Sequence, residues 1–264
     1  MYIGASTASL YPMNTEDALL TLAEMGIKNI EIFINCDIEL QNPVRAEISK
    51  IIRDYALNIL SVHPMPGWES FFLFSNYGRR TAQFMDTYSR YFERMNEWGA
   101  KVMVFHGSNK TANRSDELYL DKFVLLLETA DKFGVSVAQE NVAYCKSGDL
   151  DFLVRMKKEL ADRAAFTLDL KQAVRSGYSA FDILDKLGQN IIHIHASDNG
   201  VSDGGGDCLP IGRGSFDFTG FFVKLREMNY KGGMVLELYR ENYNDFNELK
   251  ESVDILISKK ERAD

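Results

Sequence analysis

Cysteine is scarce in this chain. Cys36, Cys145 and Cys208 are far apart and make no C-x-x-C pair, which excludes a disulfide framework and a thiolate zinc cluster. Long apolar runs are missing too. No stretch approaches the roughly 18 consecutive apolar residues of a membrane span, and no basic segment precedes an apolar one at the start, so a cytoplasmic location without a membrane partner is expected. Positive charge is short: 30 Lys and Arg face 38 Asp and Glu, for a net charge of -8. That balance disfavours nucleic acid as a partner, because duplex binding rests on cations that displace counterions from phosphates. No Pro/Gly/Ser-rich linker, internal repeat or low-complexity segment divides the chain. Glycine-rich turns come only late, at Gly204-Gly205-Gly206 and Gly212-Arg213-Gly214, outside the strand-to-helix context of a dinucleotide or phosphate loop.

What is present is an alternation of two periodicities. Strand-like runs at 2–6, 27–34, 59–63, 102–106, 135–140, 164–169, 191–195 and 234–237 alternate with helix-like ones at 14–25, 44–57, 77–98, 116–133, 150–160, 181–187, 218–228 and 246–258. Asn14 is placed to cap the first helix, and Gly26, Gly99, Gly134 and Gly188 to stop four of them. Eight such units over 264 residues match the length of one (β/α)8 TIM barrel, about 250 residues, so residues 1–264 are expected to form a single α/β barrel domain.

The last six strands share a design. Each apolar run closes on a metal-type or acid–base side chain: His63, His106, Glu140, Asp169, His195 and Glu237, at successive spacings of 43, 34, 29, 26 and 42. In a closed barrel all strand C-termini meet at one mouth, which a doubly wound sheet would not offer. Strands five to eight form one arc, so Glu140, Asp169, His195 and Glu237 are expected to converge. Three carboxylates and an imidazole suit one divalent ion, Mn²⁺, Mg²⁺, Co²⁺ or Zn²⁺. The two glutamates end the arc and face each other, an arrangement suited to proton transfer beside a carbonyl through a metal-stabilised enediolate.

The segments Gln-Glu140-Asn141, Asp169-Leu-Lys-Gln-Ala-Val-Arg-Ser-Gly177, His195-Ala-Ser-Asp198, Leu-Pro-Ile-Gly-Arg-Gly-Ser-Phe-Asp217 and Leu-Glu237 resemble, in order and spacing, the xylose isomerase-like TIM barrels of the sugar phosphate isomerase/epimerase and endonuclease IV superfamily. The resemblance to the ketohexose epimerase branch implies that Glu140, Asp169, His195 and Glu237 bind one divalent ion and that Glu140 and Glu237 are the catalytic acid/base pair. A small sugar, sugar phosphate or polyol ketone is then the expected substrate. The resemblance to endonuclease IV matches all six strand-end residues to ligands of two of its three zincs. The third zinc's ligands are replaced, by Gln172 and around Gly206 to Cys208. The epimerases commonly hold substrate with a His at the position of Gln172.

His63 and His106 carry three readings: ligands of a second metal, substrate contacts, or hydrogen-bonded barrel residues. His193, two residues before His195, is expected one layer deeper as a partnered core histidine. Trp68 is placed as a lid over the substrate, and Phe71, Phe72 and Phe74 as a protein interface compatible with a homo-oligomer. Arg213 and Lys171 are candidates for an acidic group on the substrate, and Asn141 for orienting a ligand. A dehydratase of keto-inositol or dehydroshikimate type shares the first proton abstraction. Phosphodiester hydrolysis, favoured by His63 and His106, and a non-catalytic binding barrel complete the alternatives.

Overall fold

The computed structural model describes residues 1–200 and 206–263. Eight parallel strands close on themselves in sequence order: β1 Tyr2–Ser6, β2 Asn29–Ile34, β3 Asn58–Pro64, β4 Val102–Phe105, β5 Ser136–Glu140, β6 Phe166–Asp169, β7 Ile191–Ala196 and β8 Gly233–Leu236. The ring is sealed by β1 pairing with β8, from Tyr2 opposite Gly233 to Ala5 opposite Leu236. The expected (β/α)8 barrel is therefore the observed fold. Gly204 and Gly205 lie outside the described residues. Among the described residues no helix is long and apolar enough to cross a membrane.

Nine helices surround the barrel among the described residues: α1 Thr15–Glu24, α2 Val44–Asp54, α3 Gly78–Trp98, α4 Asp116–Asp131, α5 Leu150–Leu160, α6 Leu170–Arg175, α7 Ala180–Leu187, α8 Phe218–Glu227 and α9 Phe246–Ala263. The starts of α4 to α8 are set by short polar side chains that satisfy free amide groups. Ser179 and Asp182 form a reciprocal box at α7, Ser115 caps α4 and Asp217 caps α8. Asn14 departs from expectation: its side chain makes no cap bond and instead donates to Asp17 at 3.1 Å. Gly99 ends α3 at φ +81°, a left-handed conformation that a Cβ disfavours.

Two local features position the site. The register between β2 and β3 shifts at Ile30/Glu31, and such irregularities re-aim side chains next to active sites. Further on, α6 begins directly after Asp169, a helix the apolar periodicity did not announce. Asp169 starts it by accepting the Gln172 amide on Oδ1 at 2.9 Å, so Lys171 and Gln172 are delivered to the barrel mouth in its first turn.

Candidate active site at the barrel mouth

All four residues of the expected quartet meet. His195 Nδ1 lies 3.6 Å from Glu140 Oε1, 3.7 Å from Asp169 Oδ2 and 3.5 Å from Glu237 Oε2. These side chains come from β5, β6, β7 and the residue just past β8, so the barrel's own curvature aims them at one point. The other ring nitrogen, His195 Nε2, lies 3.1 Å from Glu31 Oε2, which leaves Nδ1 buried with no hydrogen-bond partner. Buried polar atoms are rarely left so. A cation among the three carboxylates would take that lone pair, and an imidazole with three carboxylates is the donor set of a divalent ion, so these residues fit a metal.

One protein cation already touches this group. Lys171 is buried and its Nζ pairs with Asp169 Oδ2 at 2.5 Å and with Glu237 Oε2. Burial would lower the Lys171 ammonium, but Asp169 and Glu237 hold it well above its ordinary value. Lys171 is thus a fixed charge inside the site rather than a free contact for an acidic substrate. For Glu237, burial would raise the carboxyl, and Lys171 followed by His195 outweighs this and keeps it ionised. Burial likewise opposes ionisation of Glu140, while His106, His195 and His63 hold it well below the usual carboxylate range. His195 is held well above its ordinary value against burial, chiefly by Glu31 and Glu237.

His63 and His106 complete a second group that shares Glu140. Their Nε2 atoms are 3.1 Å apart, and Glu140 Oε2 lies 2.8 Å from His106 Nε2 and 3.6 Å from His63 Nε2. Each outer nitrogen is tied down, His63 Nδ1 to the Pro64 carbonyl at 2.9 Å and His106 Nδ1 to the Tyr144 hydroxyl at 3.0 Å. Two imidazole nitrogens facing one carboxylate oxygen can hold a second ion or share a proton.

Below the quartet lies a layer that strand ends did not reveal. Glu31 Oε2 accepts the Ser61 hydroxyl at 2.7 Å and lies 3.0 Å from His193 Nε2 as well as 3.1 Å from His195 Nε2. His193 is the partnered core histidine expected. Burial pushes it below its ordinary value despite Glu31, so it is neutral near pH 7. The clue to Glu31 was a single carboxylate inside the otherwise apolar Asn-Ile-Glu-Ile-Phe-Ile run of β2, since a buried charge needs a partner. Asn141 clamps the Asp169 backbone on both sides, donating to its carbonyl at 3.0 Å and accepting its amide at 2.7 Å.

Above these groups opens a cavity of about 370 Å³ with His63, His106, Glu140, Lys171, Gln172 and Glu237 in its lining. That volume suits a small ligand. Gln172 Oε1 accepts the Ala143 amide at 3.1 Å. The aromatic wall comes from Tyr11, Phe33, Tyr144 and Tyr239, and two placements from the sequence need correction. Trp68 is turned away from the cavity and packs on Phe84 and Tyr88 at ring distances of 4.9 and 5.9 Å, because α3 offers it an apolar bed. Arg213 does not line the cavity; it pairs with Glu248 at 3.0 Å with its side chain 53% exposed. Phe74 is buried and stacks on Tyr119 at 4.3 Å, and Phe72 is partly buried, so only Phe71 of the expected interface is exposed.

Comparison with known proteins agrees with the geometry. Residues 19–259 match the family model described as xylose isomerase-like TIM barrel. The uncharacterized protein Rv0498 of Mycobacterium tuberculosis (strain ATCC 25618 / H37Rv) is 25% identical over 93% of this chain and 91% of its own. Among solved structures, a D-tagatose 3-epimerase-like protein superposes with a TM-score of 0.82 at 20% identity, covering 100% of this chain and 98% of that one. The 3-keto-D-glucoside 4-epimerase YcjR from E. coli gives 0.73 at 20% identity, covering 98% and 99%. The D-psicose 3-epimerase from Clostridium cellulolyticum H10, solved with D-tagatose, gives 0.78 at 14%, covering 100% and 99%. The chain belongs to the xylose isomerase-like TIM barrel family.

Proposed function

We propose that this protein is a divalent-metal-dependent epimerase or isomerase of a small keto sugar, with Glu140 and Glu237 as its two proton carriers. The observation that carries the reading is the lone, buried Nδ1 of His195, facing three carboxylate oxygens at 3.5 to 3.7 Å directly under a ligand-sized cavity. Epimerases among the structural neighbours support the same reaction class.

Glu140, Asp169, His195 and Glu237 would hold the ion, which when bound supplies Lewis-acid polarisation of the ketose oxygens. Glu140 and Glu237 are both held ionised, so either can accept the proton from the carbon beside the carbonyl. The electron pair left on carbon moves into the carbonyl. The glutamate just protonated can return that proton to the neighbouring carbon, whereas return to the opposite face requires the other glutamate first to take a proton from water or a substrate hydroxyl. Lys171 keeps a positive charge fixed against Asp169 and Glu237, at the cavity floor where negative charge develops. Phe33, Tyr144 and Tyr239 provide an apolar wall that limits water around the reacting carbon.

The test is metal content with turnover. Protein dialysed against a chelator is expected to lose epimerisation of D-tagatose or D-fructose and regain it on adding one equivalent of Mn²⁺ or Co²⁺. Full activity after chelation contradicts the reading. The convergence of His63, His106 and Glu140 favours a second arrangement with two ions and phosphodiester hydrolysis. Two tightly bound zincs with cleavage of abasic DNA would select it.

A further inference from the structure

A side cavity of about 360 Å³ adjoins the mouth, and Pro66, His106 and Tyr144 line both. The two openings therefore adjoin across these residues, and the acid–base pair Glu140 and Glu237 lines the second of them. The first is lined by Ser70, Asn109, Thr111 and Arg114, and no carboxylate lines it.

Arg114 is the unusual member. Its Nε is buried without a hydrogen-bond partner, and among the described residues no carboxylate pairs with it. Two neighbouring cations are neutralised: Lys146 pairs with Asp116 at 2.5 Å, and Arg155 with Asp116 and Glu117 at 2.7 and 2.8 Å. Lys146 also donates to the Arg114 carbonyl at 2.9 Å, which fixes the backbone that carries the guanidinium. On the other side of Arg114, a further opening of about 520 Å³ is lined by Lys110, with Asp149 as its one carboxylate. The Ser70 hydroxyl accepts the Asn109 amide at 2.8 Å and keeps its own hydrogen to donate. An unpaired, partly desolvated guanidinium is costly without a ligand, and of the hydroxyls beside it Thr111 is spent on Asn109 Oδ1 at 2.8 Å while Ser70 is free to donate. The planar guanidinium fork matches the oxygens of a phosphate.

We infer that Arg114, with Ser70 and Asn109, forms the subsite for a phosphate monoester on the substrate, so that a ketose phosphate is taken in preference to a neutral ketose. The inference rests on the proposed sugar reaction in the adjoining opening. The phosphate is held at Arg114 while the carbonyl end reaches Glu140 and Glu237 past His106 and Tyr144. Arg213 and Lys171, the cations singled out by sequence, are satisfied by Glu248 and by Asp169 with Glu237, and leave this role to Arg114.

The test is calorimetric titration of D-fructose 6-phosphate, D-fructose and D-galacturonate into the protein, with Mn²⁺ and after chelation, using wild type and Arg114→Gln. Chelation removes any direct attraction of phosphate to metal, and thermal melts confirm that the variant is folded. The phosphorylated ketose is expected to bind wild type about 10- to 100-fold more tightly than the neutral one, as charged hydrogen bonds allow. Arg114→Gln is expected to bind both alike. Equal affinity in wild type, or a preference that survives in Arg114→Gln, overturns the subsite. Binding of the hexuronate as tight as that of the ketose phosphate overturns its assignment to phosphate. An Arg114-dependent preference in a protein that exchanges no substrate proton leaves the subsite standing and removes the epimerase reading. Exchange without the preference does the reverse.

Discussion

Glu31 holds His195 from below: its Oε2 lies 3.1 Å from Nε2, while His195 Nδ1 on the other side of the ring faces Glu140, Asp169 and Glu237. The carboxylate fixes which nitrogen carries a hydrogen and leaves the other for a cation. Partners of this kind beneath a ligating histidine are typically worth 10- to 100-fold in metal affinity. Glu31→Ala is therefore expected to weaken Mn²⁺ binding by about that factor, and Glu31→Gln, which keeps an acceptor, by less. Titration calorimetry on both variants checks the order; equal affinity in all three proteins contradicts it.

Lys171 gives a prediction of opposite sign for the metal-free and metal-loaded protein. Its ammonium pairs with Asp169 and Glu237, and removing one partner of a buried ion pair costs about 3–5 kcal/mol. Lys171→Met should unfold at lower denaturant than wild type after chelation, by about 3 kcal/mol. Mn²⁺ should restore more stability to the variant than to wild type, since two carboxylates have lost their competing cation. Equal stabilisation of both proteins by Mn²⁺ speaks against a shared position.

The pH response follows from the directions of the shifts. His195 is held above its ordinary value, so its contribution to folding is complete below about pH 6.5 and is lost as pH rises through the folded value. Glu140 and Glu237 are held low; their contributions are present above about pH 4.3 and are lost as pH falls through the folded values. His193 is depressed and costs stability below about pH 6.5. Metal-free protein should thus lose melting temperature from pH 7 to pH 9. A metal needs the neutral His195 lone pair, so its binding should release a proton and tighten between pH 6 and pH 8. Calorimetry in two buffers of different ionisation enthalpy reads the proton directly, and no release contradicts the assignment of His195.

Much of this architecture is legible in the sequence because barrels state their period plainly. Every strand appears as a short apolar run, and six runs end in the side chains that meet at the mouth. The quartet follows from that pattern because strand C-termini of a barrel must share a face. Glu31 was missed for the same reason: it sits in the middle of β2, where only its burial beneath His195 reveals a role. Lys171 reads as a contact for an acidic group on the substrate until α6, nucleated by Asp169, carries it inward onto Asp169 and Glu237. Trp68 and Arg213 went wrong because nearness along the chain does not determine which way a loop side chain turns. Trp68 found an apolar bed on α3 and Arg213 found Glu248.

The central claim is that Glu237 exchanges a proton with the substrate carbon across from Glu140. Wild-type protein with Mn²⁺ in deuterated water should incorporate deuterium beside the carbonyl of D-fructose or its 6-phosphate. Glu237→Gln, folded by its melting curve, should lose at least ~100-fold of that exchange, the scale of a general acid–base contribution. Exchange at the wild-type rate in the Glu237→Gln protein would contradict the account.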